Sequence, residues 1–136
     1  MRRLLSLVPL ALAGCDITGP CGSDVMQVAR DPGSDRYAIL ENRDCGATTT
    51  NVTVVRVGRA SEWQSNAVEV FVADDNHGEA ALGRGGTIWT NVVWTGPGRL
   101  LINYASKART FKREIAAKGA TVSYRATEPF ALPPVP

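Results

Sequence analysis

The densest group of side chains that could do chemistry is segment 74–79, Asp-Asp-Asn-His-Gly-Glu. Carboxylate and amide oxygens suit Ca²⁺, and an imidazole beside a carboxylate suits acid–base catalysis. The spacing does not match the ligand pattern of a calcium-binding loop, and the same residue types satisfy an ordinary exposed turn. We favour the turn, predict no metal and no cofactor, and keep as a candidate binding loop Asp74, Asp75, Asn76 and His77.

His77 is the only histidine of the chain. No G-x-S-x-G motif places a serine nucleophile for it. A cysteine nucleophile would need Cys45 to be reduced and close to His77. If the chain is an enzyme, we therefore expect a small hydrolase that uses His77. We favour instead a protein without catalytic activity.

The first fifteen residues have the features of an export signal. Arg2 and Arg3 form a positively charged start, and the apolar run of about ten residues that follows is too short to span a bilayer core of ~30 Å. The run ends in Leu-Ala-Gly-Cys at 12–15, which resembles the lipobox of bacterial lipoproteins. This resemblance implies cleavage before Cys15 and a lipid on its sulfur. The alternative is an ordinary secretion signal with Cys15 as a plain thiol.

A lipid on Cys15 would hold the chain to a membrane of the cell envelope, facing the periplasm or the cell exterior. The next residue, Asp16, resembles the signal that retains lipoproteins in the inner membrane of enteric bacteria, so the inner membrane is favoured. Loss of residues 1–14 removes Arg2 and Arg3, which leaves equal numbers of basic and acidic residues. A neutral domain lacks the basic footprint of nucleic-acid binding. The expected partners are the membrane and an envelope protein.

Two cysteines remain for the exported domain, Cys21 and Cys45. Exported domains meet oxidising conditions, so an even pair predicts a disulfide. Two free thiols or a metal-binding pair are the alternatives. A metal site of this kind needs four ligands, and His77 is the only histidine that could join the two cysteines.

The region around Cys45 carries a second resemblance. The turn at 31–35 (Asp-Pro-Gly-Ser-Asp), the strand residues at 37–39 (Tyr-Ala-Ile) and the motif at 44–49 (Asp-Cys-Gly-Ala-Thr-Thr) are similar to those of a group of small uncharacterised bacterial proteins. This resemblance implies no activity and no catalytic residue.

The rest of the chain predicts an all-β fold. Short runs rich in β-branched residues alternate with turn clusters, and no segment keeps a helical period. We predict an antiparallel meander, sandwich or small barrel of about eight strands in one domain. The predicted strands are 25–30, 36–43, 51–57, 67–73, 87–94, 99–104, 110–115 and 121–125. The last two are expected to form a hairpin.

We divide the chain into a signal peptide (1–14), a lipidated tether (15–24), a β domain (25–126) and a Pro-rich tail (127–136). The preferred function is a non-enzymatic, lipid-anchored binding or accessory module, which an exposed patch at Trp63, Trp89 or Trp94 would favour. An inhibitor or immunity-type lipoprotein is the alternative that a protruding loop at 74–86 would favour. A hydrolase would need His77 in a pocket beside a carboxylate or a hydroxyl.

Overall fold

The computed structural model describes residues 21–46 and 51–129, which form nine β-strands in two sheets. The strands are β1 (Gly22–Arg30), β2 (Arg36–Asp44), β3 (Val52–Arg59), β4 (Val68–Asp74), β5 (Thr90–Gly96), β6 (Arg99–Ala105), β7 (Arg109–Arg113), β8 (Ala116–Ala117) and β9 (Ala120–Thr127). These ranges contain no α-helix, only 3-10 turns at Gln64–Asn66 and Arg84–Gly86. The prediction of an all-β fold is confirmed.

Several predicted features fall outside the described residues. These are the signal peptide, Cys15, Asp16, the threonines that follow Cys45, and the tail from residue 130 onward. β1 begins at Gly22, so it includes the last part of the predicted tether, and β9 runs to Thr127, the first residue of the predicted tail. Within the described part, no helix has both the length and the apolar character needed to cross a membrane.

The first sheet has the strand order β1-β2-β3-β4-β7 and is antiparallel throughout. The second sheet has the order β5-β6-β9-β8, in which β6 and β9 are parallel. This pair departs from the predicted antiparallel arrangement. After β6 the chain crosses to the first sheet as β7 and then returns, and this crossover lets β9 lie parallel to β6.

The predicted last hairpin between 110–115 and 121–125 is wrong. β7 pairs with β4 instead, and the hairpin is formed by β8 and β9. The two turn residues are Lys118 and Gly119, with φ values of 52° and 78°. Positive φ at both central residues gives a tight turn that follows the twist of the strands. The turn therefore pairs Ala117 with Ala120, and β7 is free to extend the other sheet.

One core lies between the two sheets. Leu100, Ile102 and Tyr104 alternate inward along β6, as the sequence predicts, and pack with buried residues of the first sheet. On β4, strict alternation over the predicted strand 67–73 would place Val68, Val70 and Val72 on one face, and this arrangement is not found. The register with β3 shifts within β4, so that Val70 and the adjacent Phe71 are both buried whereas Val68 is exposed. A bulge of this kind breaks the two-residue alternation on which the prediction rests.

Side chains join the edge strands β1 and β5 of the two sheets. The Gln27 amide donates to the backbone oxygen of Val92 at 3.0 Å and accepts from its N–H at 3.3 Å. Farther along, the indole N–H of Trp94 donates to the backbone oxygen of Ala29 at 3.0 Å. These bonds satisfy edge groups that would otherwise be open to another strand.

A disulfide joins Cys21 and Cys45, which confirms the predicted pairing. The two cysteines flank the first strand pair, in which Gly22 lies opposite Asp44. The bridge therefore closes the end of the β1–β2 hairpin that lies away from its turn.

Removal of this bridge should cost stability. The cysteines are 24 residues apart, and on the chain-entropy model a loop of that length contributes roughly 3.5 kcal/mol by restricting the unfolded chain. We expect the double variant Cys21→Ser, Cys45→Ser to lose this amount in urea unfolding. A reductant should lower the stability of the wild type and leave the variant unchanged. Equal stabilities of the oxidised wild type and the variant would contradict the prediction.

Candidate functional site

The predicted binding loop begins where β4 ends, and its first residue has a structural role. Asp74 is buried and forms an ion pair with Arg109 of β7, and it also accepts the backbone N–H of Asn76 at 2.9 Å. Hydrogen bonds from Arg109 hold the pKa of Asp74 below its usual value, although burial opposes this shift. The Asn76 side chain donates to the backbone oxygen of Lys107 at 3.2 Å. Asp74 thus ties this loop to β7, and Asn76 ties it to the connection between β6 and β7.

The other loop residues form a turn. Asn76, His77 and Gly78 have φ values of 51°, 58° and 84°, and asparagine and glycine tolerate this left-handed conformation. His77 is exposed and makes no hydrogen bond within the described ranges. Asp75 is half-buried, and its backbone oxygen accepts the N–H of Ala80 at 2.9 Å. Across the described residues, no group of three or more His, Cys, Asp or Glu side chains could hold a metal ion.

A second polar cluster, which sequence reasoning missed, lies at the β1–β2 turn. The Asp31 side chain is fully buried and pairs with Arg36 at 3.1 Å. It also accepts the N–H of Gly98 at 3.0 Å, which lies in the turn between β5 and β6. Asp31 therefore ties the two sheets together at one end of the fold. The Pro-Gly sequence signalled a turn there, but only the fold shows that another turn packs against it.

The most exposed large hydrophobic side chain of the described part is Trp63, at 81%. It lies in the loop between β3 and β4, beside a groove of about 300 Å³. The groove is lined by Val28, Arg30, Tyr37, Ile39, Ala60, Glu62 and Gln64. We call Trp63 and this groove the Trp63 surface. It combines an aromatic ring and half-exposed apolar side chains with charges of both signs.

The loop that carries Trp63 is anchored on the β1–β2 turn. The backbone oxygen of Asp35 accepts the N–H of Ala60 at 2.9 Å, and its carboxylate pairs with Arg59 at 2.9 Å. Hydrogen bonds from the Ser61 hydroxyl and N–H, with one from Arg59, lower the pKa of Asp35 to about 2. The Trp63 surface therefore sits at the same end of the fold as the Arg30 end of β1. That end is opposite to Gly22, through which the chain leads back toward Cys15.

The three tryptophans differ in accessibility, which the sequence could not show. Trp94 is held against β1 by its bond to Ala29. Trp89 packs partly against the core. Trp63 alone of the three projects into solvent. Of the three residues at which an exposed patch would favour a binding module, Trp63 is therefore the one that is largely exposed.

Comparison with known proteins gives no functional assignment. No protein-family model matches the chain, and neither a curated protein nor a solved structure matches it significantly. A function for this chain must therefore be inferred from the geometry of its described residues.

Proposed function

We propose that this chain is a lipid-anchored protein of the cell envelope that binds another envelope protein through the Trp63 surface, without catalysing a reaction. The observation that carries the proposal is the 81% exposure of Trp63. An exposed tryptophan beside a groove of mixed apolar and charged lining supports an interaction site, because burial of the indole on binding removes a large apolar area from water. Tryptophan is also among the residues that dominate interface energetics.

The position of Trp63 suits a protein held at its N-terminus. β1 has nine residues and so spans about 26 Å at ~3.3 Å per residue. Trp63 lies at the far end of this strand from Gly22. A lipid on Cys15 would therefore leave the Trp63 surface on the side of the fold that faces away from the membrane, where an envelope protein can reach it.

The surface is also fixed before any partner arrives. Lys118, in the β8–β9 turn, pairs with Glu62 at 3.3 Å, and Arg59 donates to the backbone oxygen of Lys118 at 3.0 Å. These contacts connect the Trp63 loop with the second sheet. A loop ordered in the free protein loses less conformational entropy on binding.

The two other functions have less support. A hydrolase needs a partner for His77, and in the described part His77 is exposed without a hydrogen bond. An inhibitory loop at 74–86 should protrude, but Asp74 pairs with Arg109, and the Asn42 side chain donates to the backbone oxygen of Gly85 at 2.8 Å. Both ends of that segment are thus held against the sheets.

Photocrosslinking in the cells that produce the protein tests the proposal. A photoreactive phenylalanine analogue at position 63 should give a discrete covalent adduct with a membrane-associated protein, because the indole position lies in the proposed interface. Phe111 provides the matched control, since it is an aromatic residue of β7 exposed to 59%, and the same analogue there should give no such adduct. Mass spectrometry of the adduct identifies the partner.

Two further variants define the expected pattern. Cys15→Ser should release the protein from washed membranes and weaken the adduct at position 63. His77→Ala should leave both the adduct and the membrane attachment unchanged. The binding proposal fails if positions 63 and 111 give the same products, or if His77→Ala abolishes the adduct while the fold is retained.

A further inference from the structure

A second concave site lies on the flank of the fold, away from Trp63. It is a cleft of about 350 Å³ between the edge strands β1 and β5 and the Arg84–Gly86 turn. Its apolar part is formed by Leu40, Met26 and Trp89, and its polar part includes Arg84, Thr90 and Asn91. We call it the β1–β5 cleft. A volume near the lower end of the range for small-molecule sites fits one ring with its substituents.

The polar groups of the cleft are available to a ligand. The side chains of Arg84 and Asn91 are exposed, and neither makes a hydrogen bond to another described residue. The indole N–H of Trp89 also lacks such a partner. None of the residues that line the cleft is an aspartate or a glutamate. The guanidinium of Arg84 is therefore not neutralised inside the cleft, which favours an anionic ligand.

The walls of the cleft are fixed by internal hydrogen bonds. The nitrogen and the oxygen of the Gln27 side-chain amide both form hydrogen bonds with the backbone of Val92. The Thr87 hydroxyl donates to the backbone oxygen of Arg84 at 2.6 Å, and the N–H of Gly83 donates to that of Thr87 at 2.8 Å. The cleft is thus formed in the free protein, so a ligand need not order it.

From these groups we infer that the β1–β5 cleft binds a pyranose ring that carries a carboxylate. A pyranose has one apolar face of C–H groups, which would pack on the Trp89 indole. Its hydroxyls match the side-chain amide of Asn91, which can both donate and accept. They also match the Thr90 hydroxyl oxygen, which can accept while its own hydrogen is donated to the backbone oxygen of Ile88 at 3.1 Å. The carboxylate matches the fork of N–H donors of Arg84. This ligand site is separate from the Trp63 surface and does not depend on it.

NMR titration of the full chain in detergent, with the tryptophan indoles labelled with ¹⁵N, tests the inference. Methyl β-D-glucuronide is the probe, and methyl β-D-glucoside is the same ring without the charge. We expect the glucuronide to shift the Trp89 indole signal, assigned with Trp89→Phe, and to leave the Trp63 signal in place. The glucoside should bind at least about fivefold more weakly, because it lacks the charge-assisted bonds to Arg84.

Two variants and a third ligand complete the test. Arg84→Gln should bind the two sugars equally, whereas Arg125→Gln, an exposed arginine of β9 outside the cleft, should keep the preference. The inference is overturned if the glucuronide leaves the Trp89 signal unmoved, or if Arg84→Gln keeps the preference. It is also overturned if benzoate, a flat carboxylate without hydroxyls, binds as tightly as the glucuronide. None of these outcomes bears on the proposed binding of a partner at Trp63, which the crosslinking at position 63 tests separately.

Discussion

Replacement of Asp31 by alanine should destabilise the protein by about 4 kcal/mol, because a buried acceptor of four hydrogen bonds is lost. The side chain is 0% exposed and accepts from the N–H of Gly33 at 2.9 Å, the hydroxyl of Ser34 at 3.0 Å, the guanidinium of Arg36 at 3.1 Å and the N–H of Gly98 at 3.0 Å. The substitution leaves the largely buried Arg36 without its counter-ion. It also removes the tie between the turns of the two sheets.

The same carboxylate should make stability depend on pH. Burial alone would raise the pKa of Asp31, but the hydrogen bonds from Gly33, Gly98, Ser34 and Arg36 outweigh burial and hold it below the usual 3.8. The unfolded chain therefore takes up the proton more readily than the folded chain. The stability that Asp31 contributes is present at neutral pH and is lost as the pH falls through 3.8 toward the folded-state pKa. Asp31→Asn should show a smaller loss over that interval.

Urea unfolding at pH 7 and across the acid range measures both effects. Asp24→Ala is the matched control, since Asp24 is an exposed aspartate of β1 whose side chain makes no hydrogen bond in the described part. It should change the free energy of unfolding by about 0.5 kcal/mol or less. A loss below about 1 kcal/mol for Asp31→Ala, or an unchanged acid dependence in Asp31→Asn, would show that the network does not hold the turns together.

The second large effect is expected for Phe71→Ala, at about 3–5 kcal/mol. Phe71 is 0% exposed, and its ring centroid lies 5.0 Å from that of Tyr104 and 5.9 Å from that of Tyr124. The three rings bring β4, β6 and β9 together at the centre of the core. Truncation removes apolar contacts and leaves a cavity that rigid neighbouring strands cannot fill.

Equilibrium unfolding of Phe71→Ala and Phe111→Ala distinguishes the loss of core packing from the loss of an aromatic ring as such. Phe111 is exposed and lies under the Arg109 guanidinium at 5.2 Å, so its truncation should cost at most about 1 kcal/mol. The slope of the unfolding free energy against urea concentration should be unchanged in both variants, because each substitution alters little of the surface area that unfolding exposes. Equal losses in the two variants would refute the assignment of Phe71 to the core centre.

Local features were readable from the sequence because local chemistry determines them. Proline and glycine at 31–35 and 95–98 signalled the two turns, which connect β1 to β2 and β5 to β6. Alternating apolar residues located the strands, and an even pair of cysteines in a chain expected to be exported predicted their bond. The inward face of β6 followed from the same alternation, because that strand runs without a bulge.

Features that depend on distant parts of the chain could not be read in this way. The pairing of β7 with β4 competes with a local hairpin, and the tight turn at Lys118 and Gly119 decides the outcome. The bulge in β4 exists because Val70 and Phe71 both find room in a core formed by two sheets.

The same distinction between local and distant determinants applies to the candidate sites. The sequence by itself determined which residues could form a turn, a bridge or an aromatic patch, because those properties belong to residue types and near neighbours. Only the tertiary structure decided that Asp74 forms an ion pair with Arg109, that Trp63 is exposed, and that Arg84 and Trp89 line the same cleft. Exposure and juxtaposition arise when strands distant in sequence pack together, and no local pattern encodes the partner of each strand.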